Sequence, residues 1–242
     1  MRNFHLIITC EHANNIVPYA YKYLFHDAES KLISHTGWDP GALSVANYLA
    51  ASNKVPIFYS EITRLLVEPN RSLDHPELFS AYTRSLKRSI KIYLLDRYYH
   101  PYRDQVEEKI GSMLKNGPVV HLSVHSFTPV LFSKIRSTDI GILFDPESPL
   151  EYSFCGNWLA ALQQQLPTFQ IDLNQPYSGI DDGFTTHLRK LFSDQNYVGI
   201  ELELNQKWLP FIVNDLLIKA LDKTLKKTVA RLKKKEYLNN MV

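Results

Sequence analysis

Two histidines and a few acids carry the most reactive chemistry in this sequence. His12 follows the run His5-Leu6-Ile7-Ile8-Thr9-Cys10, and His125 follows Val119-Val120-His121-Leu122-Ser123-Val124. Both therefore lie just past the end of an apolar, strand-like stretch. Glu11 adjoins His12, and Asp39 sits in His35-Thr36-Gly37-Trp38-Asp39-Pro40-Gly41-Ala42. A catalytic zinc site uses three N/O ligands and keeps one position open for water, and two histidines with one acid supply that set. Asp39 also reads as the N-cap of the helix-like segment behind Pro40. Glu11 and Asp39 are thus both candidates for the acid ligand. The sequence holds no HExxH or CxxC, so the metal reading rests on placement at strand ends.

Glu201 and Glu203 share one face of a strand whose other face is Ile200, Leu202 and Leu204, by the two-residue alternation of β structure. A carboxylate beside a metal-bound water serves as general base and then general acid. The alternatives are a solvent-facing edge strand or ion pairs with downstream lysines. Arg64, Asn70 and Arg71 cluster after another strand. An arginine fork matches a carboxylate, which suggests an anionic substrate group; ion pairing with Glu61, Glu68 or Asp74 is the competing fate. The Gly/Asp-rich segment from Pro176 and Tyr177 to Gly183 reads as a loop that fits a pocket lid or an ordinary connection.

Rival chemistries find less support. There is no G-x-S-x-G elbow, no Walker A loop and no G-x-G-x-x-G. Cys10 and His12 are two residues apart, which does not ensure the side-chain contact a nucleophile and base require. Cys10 is better read as a small buried apolar residue.

These side chains need a scaffold, and the hydropathy pattern supplies one. Strands are predicted at 5–10, 55–60, 119–124, 140–144 and 197–204. Helices are predicted at about 41–52, 83–115 with a break at Pro101, 149–166 and 210–236. Strands alternating with helices indicate an α/β fold with a mostly parallel central sheet. In such sheets ligands bind beyond the carboxyl ends of the strands, where the reactive residues fall. No linker or repeat divides the 242 residues, so one domain is expected.

At 45% apolar and 21% charged residues the chain is globular, and no apolar run reaches the roughly 18 residues of a membrane span. Two cysteines cannot form a disulfide framework, so a reducing cytoplasm is expected. The net charge of +2 hides an asymmetry. Residues 219–235 hold eight Lys/Arg and one acid, leaving 19 bases against 24 acids elsewhere. An acidic body argues against nucleic-acid binding. In the basic tail, Leu217, Leu221, Leu225, Val229 and Leu232 recur at helical spacing. That pattern suggests a terminal helix docked on the core with a solvated lysine face; a membrane or polyanion contact is the alternative.

Taken in order, seven blocks resemble the N-formylglutamate amidohydrolase family. They are Thr9-Cys10-Glu11-His12-Ala13-Asn14-Asn15 with Val17-Pro18, His35 to Ala42, Thr63 to Ser72, and His121 to Pro129. Asp139 to Pro146, Tyr177 to Arg189 and Gly199 to Gln206 complete the set. The resemblance spans about residues 5–206. It implies a fold similar to zinc-dependent carboxypeptidases (phosphorylase/hydrolase-like), a mixed sheet sandwiched by helices. It also implies hydrolysis of the amide of a small N-acyl amino acid such as N-formylglutamate. By the same resemblance, His12, Asp39 and His125 hold one Zn2+, with Glu11 as substitute for Asp39. Glu203 is the catalytic carboxylate and Glu201 its same-face neighbour. Arg64 polarises the scissile carbonyl, Asn70 and Arg71 hold the substrate carboxylate, and Tyr177 lines the substrate site. The chain has Glu-His-Ala-Asn around His12 where familiar members have a Pro-His-Ser-Gly type sequence, and it has Glu68-Pro69 before Asn70. These departures bear on the substrate more than on the chemistry.

Overall fold

The computed structural model describes residues 4–211 and 215–239, with side chains to residue 209 and from 216 to 232. Six strands form one sheet in the order β2-β1-β3-β8-β6-β7. They are β1 (His5–Cys10), β2 (Ile57–Tyr59), β3 (Val119–Phe127), β6 (Ile140–Leu143), β7 (Ile171–Leu173) and β8 (Tyr197–Asn205). A small hairpin of β4 (Val130–Leu131) and β5 (Lys134–Ile135) stands apart. All neighbours in the main sheet are parallel except β6 and β8, which makes it mixed and mostly parallel. The helices are α1 (Glu29–Leu32), α2 (Ala42–Asn53), α3 (Arg88–Leu94), α4 (His100–Leu114), α5 (Pro149–Gln165), α6 (Phe184–Leu191) and α7 (Asp215–Asn239).

Alternation along the strands gives the sheet two different faces. Leu6, Ile8 and Cys10, Val120, Leu122 and Val124, and Ile200, Leu202 and Leu204 all pack into one apolar core with α2, α5 and α7. The opposite face carries Ile7, Val119 and Tyr197 under α4 and α6 at one end. Toward the carboxyl ends the same face becomes polar. The parallel register sets Thr9 beside Ser123, Ser123 beside Glu201, and His125 beside Glu203. Cys10 therefore points into the core, away from His12, and its thiol has no access to a substrate.

Two helix expectations change. Residues 88–114 run continuously through Pro101, because the turn Leu95–Tyr99 is a π-helix. Widening the turn ahead of Pro101 lets a residue without an N–H enter the first turn of α4. At the other end, Gln206–Phe211 is a 3-10 helix and α7 begins at Asp215, so the predicted start at 210 is too early; residues 212–214 lie outside the described residues. Strand β7 is only three residues long, too short to be read from hydropathy, and helix α6, though strongly amphipathic, follows directly on the loop that ends at Gly183 and was not predicted. Leu217, Leu221, Leu225, Val229 and Leu232 are buried, while the described tail lysines are exposed. Buried Trp158 of α5 donates to Thr224 Oγ1 at 3.0 Å, and Asn53 of α2 donates to Asp222 at 2.9 Å. Helix α7 is thus docked on α2 and α5. No described helix is long and apolar enough to cross a membrane.

Candidate active site

His12, Asp39 and His125 converge. One ligand atom from each lies within 4.8 Å of the other two, and all three residues are buried. Asp39 Oδ2 is 3.3 Å from His12 Nδ1 and 3.0 Å from His125 Nδ1. Backbone links fix this meeting: Asp39 N donates to the His12 carbonyl at 2.9 Å, and Ser126 N donates to Asp39 Oδ2 at 3.2 Å. Asp39 is not the cap of α2. That position belongs to Gly41, at φ +81°, where a Cβ would also press on Leu209 at 3.0 Å.

The far nitrogen of each ring faces an acid. His12 Nε2 lies 2.5 Å from Glu68 Oε1. His125 Nε2 lies 3.2 Å from Glu11 Oε2 and 2.8 Å from Ser123 Oγ. Glu11 also accepts from Ser123 and, at 2.7 Å, from Tyr102 of α4. Glu11 is therefore engaged behind His125, while Asp39 stands where both Nδ1 atoms point. A carboxylate accepts but does not donate, so it holds Nε2–H and, in the neutral ring that binds a metal, leaves the Nδ1 lone pair on the Asp39 side. At His12 that lone pair already receives Arg64 Nη1 at 3.2 Å. Ligands about 2.1 Å from a tetrahedral ion lie about 3.4 Å from one another, so these spacings and this N/N/O donor set fit a metal such as zinc.

Electrostatics follow from burial and pairing. Burial would raise the Glu11, Asp39 and Glu68 pKa values. His125 pulls Glu11 down, His12 and His125 do the same for Asp39, and Arg64 and His12 for Glu68. All three lie well below the usual carboxylate range. Burial would lower His125, but Asp39 and Glu11 raise it well above the usual histidine value. Glu203 behaves oppositely to the other acids. Burial pushes it up to about 8, with His125 opposing and the charges of Asp39 and Glu201 adding. Its Oε2 is buried without a hydrogen-bond partner.

A pocket of 210 Å³ opens over this group. Arg64, Asn70, Arg71, Tyr177, Glu201 and Glu203 all line it, together with the three convergent residues. The loop bearing Arg64 to Arg71 rests on a second apolar cluster that includes Leu66, Leu78, Leu94 and Tyr99. Buried Arg103 of α4 reaches the Pro69 carbonyl at 3.2 Å, under the Phe184 ring at 4.4 Å. Asn70 Oδ1 accepts from Phe184 N at 2.6 Å, leaving its amide N–H groups as donors. Arg71 Nη1 donates to the Asn70 and Asp182 carbonyls. Glu201 accepts from Thr185, and Tyr177 OH accepts from Arg136 at 2.9 Å. Gly183 permits the close approach of these walls, since a Cβ there would sit 3.3 Å from Asn70 Oδ1 and 3.4 Å from Glu201 Oε1.

Sequence reasoning treated Glu68 as a candidate ion-pair partner of the nearby arginines and as a departure from the family pattern, without a link to His12. Glu68 does accept from Arg64 Nε at 2.6 Å, but it holds His12 as well. Its adjacency to the Asn70-Arg71 pair was the available signal. Tyr102, Ser123 and Arg103 gave none, because their roles arise from register and helix packing.

A mixed α/β sheet with a buried His/Asp/His cluster and an acid at its carboxyl edge defines the class of α/β amide hydrolases to which the comparisons lead. The profile of the N-formylglutamate amidohydrolase family matches residues 4–209, and the chain belongs to that family. The gene product Atu2144 from Agrobacterium tumefaciens is similar in structure, with a TM-score of 0.81 at 25% identity over 96% of this chain and 92% of that one. N-formylglutamate amidohydrolase from Ralstonia eutropha JMP134 shares the fold, with a TM-score of 0.64 at 15% identity over 98% and 94% of the two chains. No curated protein matches the sequence significantly.

Proposed function

We propose that this protein is a single-domain, metal-dependent, cytoplasmic hydrolase of small N-acyl amino acids such as N-formylglutamate. The observation that carries the reading is the convergence of His12, Asp39 and His125 in the same pocket as Glu203 and the Arg64, Asn70 and Arg71 cluster. His12 and His125 through Nδ1, and Asp39 through a carboxylate oxygen, would hold one ion, with Glu11 acting behind His125. When bound, zinc acidifies a coordinated water and polarises a carbonyl.

The protein's own groups do the rest. Glu203 takes a proton from the attacking water and returns it to the departing nitrogen as the C–N bond breaks. The products are a carboxylic acid and a free amino acid. Arg64, beside His12, donates to the oxygen on which negative charge develops. Arg71 and Asn70 anchor the amino-acid carboxylate, and Tyr177 and Glu201 border the substrate. Buried free Cys10 and Cys155 support the cytoplasmic placement, and the acidic body supports a small-molecule substrate over nucleic acid.

The test is metal analysis of the purified protein together with release of formate from N-formylglutamate. Expected are one tightly held metal ion per chain and turnover that a chelator abolishes. A protein that binds N-formylglutamate, holds no metal and never hydrolyses it would instead be a carboxylate-binding module on this fold.

A further inference from the structure

The pocket is not the only space that reaches Arg64. A second groove of 510 Å³ shares His35 and Arg64 with the first. Lys31, Phe79, Tyr82 and Arg84 line it. Its acids are Glu68, already engaged by His12 and Arg64, and Glu77. Lys31 and Arg84 are exposed and form no ion pair among the described residues, and Lys91 Nζ stands 5.2 Å from the Phe79 ring centre. The groove is therefore cationic, with aromatic walls, and it abuts the residue assigned to the scissile carbonyl.

An amide has two arms. The proposed anchor for the amino-acid arm, Asn70 and Arg71, lines the first pocket and not the second. The acyl arm extends from the other side of the carbonyl carbon, and the cationic groove is a second cavity that Arg64 lines. A formyl group would leave that groove unused. Two unpaired cations suit an arm that ends in a carboxylate, because charge-assisted hydrogen bonds to arginine and lysine are among the stronger polar contacts. Resting on the hydrolase reading above, we propose that the groove is an acyl-side subsite. The substrate class it selects is an N-acyl amino acid whose acyl arm carries its own carboxylate. A dicarboxylic acyl group and an acidic amino-acyl residue share that chemistry.

The experiment compares N-succinyl and N-butanoyl forms of one amino acid, which differ mainly in the terminal carboxylate, with an α-aspartyl dipeptide as the third arm. Binding is measured by calorimetry on the zinc-loaded Glu203→Gln protein, and turnover on the zinc-loaded wild type. The expected result is binding at least about tenfold tighter for N-succinyl than for N-butanoyl, the scale of one charge-assisted contact. That preference should collapse in the Lys31→Ala/Arg84→Ala double variant and return in part with Arg84→Lys. A preference for the dipeptide over N-succinyl would identify the acidic residue as the source of the carboxylate. Equal binding of the charged and neutral arms, or a preference that survives the double variant, would overturn the subsite. Failure of the hydrolase reading has a different signature: the binding preference persists while the wild type turns over none of the compounds.

Discussion

Glu68 Oε1 lies 2.5 Å from His12 Nε2, and the other oxygen of the same carboxylate accepts from Arg64 Nε at 2.6 Å. One buried acid thus orients a candidate metal ligand and a candidate oxyanion donor together. Partners that orient a ligating histidine are typically worth about 10–100-fold in metal affinity. Glu68→Ala is expected to weaken zinc binding on that scale, while Glu68→Gln, which still accepts from Nε2–H, should recover much of it. Competition with a chromophoric chelator measures both. Unchanged zinc affinity in Glu68→Ala would leave Glu68 as an ion-pair partner of Arg64 only.

Glu203 separates turnover from binding. Loss of a general base costs about 10²–10⁴-fold in rate. Glu203→Gln should retain zinc and bind an N-acyl amino acid with near-wild-type affinity, yet hydrolyse it slower by that factor. Steady-state rates beside calorimetric binding decide the matter. Near-normal turnover would remove Glu203 from the proton-transfer role.

Arg71 should act on the other parameter. Its Nη1 is occupied by the Asn70 and Asp182 carbonyls, and the residue lines the pocket. Arg71→Ala is expected to raise KM for substrates with a free α-carboxylate and to matter much less for amidated analogues. If the anchor also orients the amide, kcat falls too. Equal losses on free and blocked substrates would point to a purely structural contact with the Asp182 loop.

Helix α7 offers a stability test. Leu225 is fully buried against the core, whereas Lys227 is exposed. Leu225→Ala should cost about 2–5 kcal/mol, and Lys227→Ala should stay within about 0.5 kcal/mol. Urea unfolding monitored by circular dichroism reads both. A silent Leu225→Ala would contradict docking of this helix.

The sheet was legible because its strands alternate. Ile200, Leu202 and Leu204 against Glu201 and Glu203 already separate a core face from a polar face, and the register then places Glu203 beside His125. The gathering of His12, Asp39 and His125 was only partly legible. A histidine just past a strand end is visible in the sequence. The Asp39 N–H to His12 carbonyl bond that draws the two together, and the N-cap at Gly41 that rules out the capping role, are not. The Glu68 and Glu11 contacts were hidden for the same reason: they join residues 56 and 114 positions apart from their histidine partners, and no local pattern encodes such distances. Strand β7 escaped because three residues carry too little periodicity; helix α6 is strongly amphipathic, but its eight residues follow directly on the loop that ends at Gly183 and were not separated from it. Pro101 misled because a π turn, which hydropathy does not report, absorbs its missing N–H.

His121 gives a prediction in pH. Its ring is fully buried under the site, with Nε2 2.7 Å from Thr9 Oγ1 and Nδ1 2.7 Å from Tyr197 OH. Burial pulls its pKa down to about 4, against the charge of Glu11 and with help from Arg189 and His125. The unfolded chain takes up this proton near pH 6.5, and the folded chain resists until about 4. A histidine with a depressed folded pKa contributes stability above its unfolded value and loses it as pH falls. By pH 5 the loss should reach about 2 kcal/mol. His125 and Glu203, both raised in the fold, titrate in the opposite sense, so the readout is the difference between wild type and His121→Gln. Glutamine keeps partners for Thr9 and Tyr197 but has no proton to gain. Denaturant unfolding at pH 7.5, 6.5, 5.8 and 5.0, a range chosen by about two units around the unfolded value, should show the variant gaining on the wild type as pH falls. Parallel curves over the whole range would mean that His121 takes up its proton equally readily in the folded and unfolded chains.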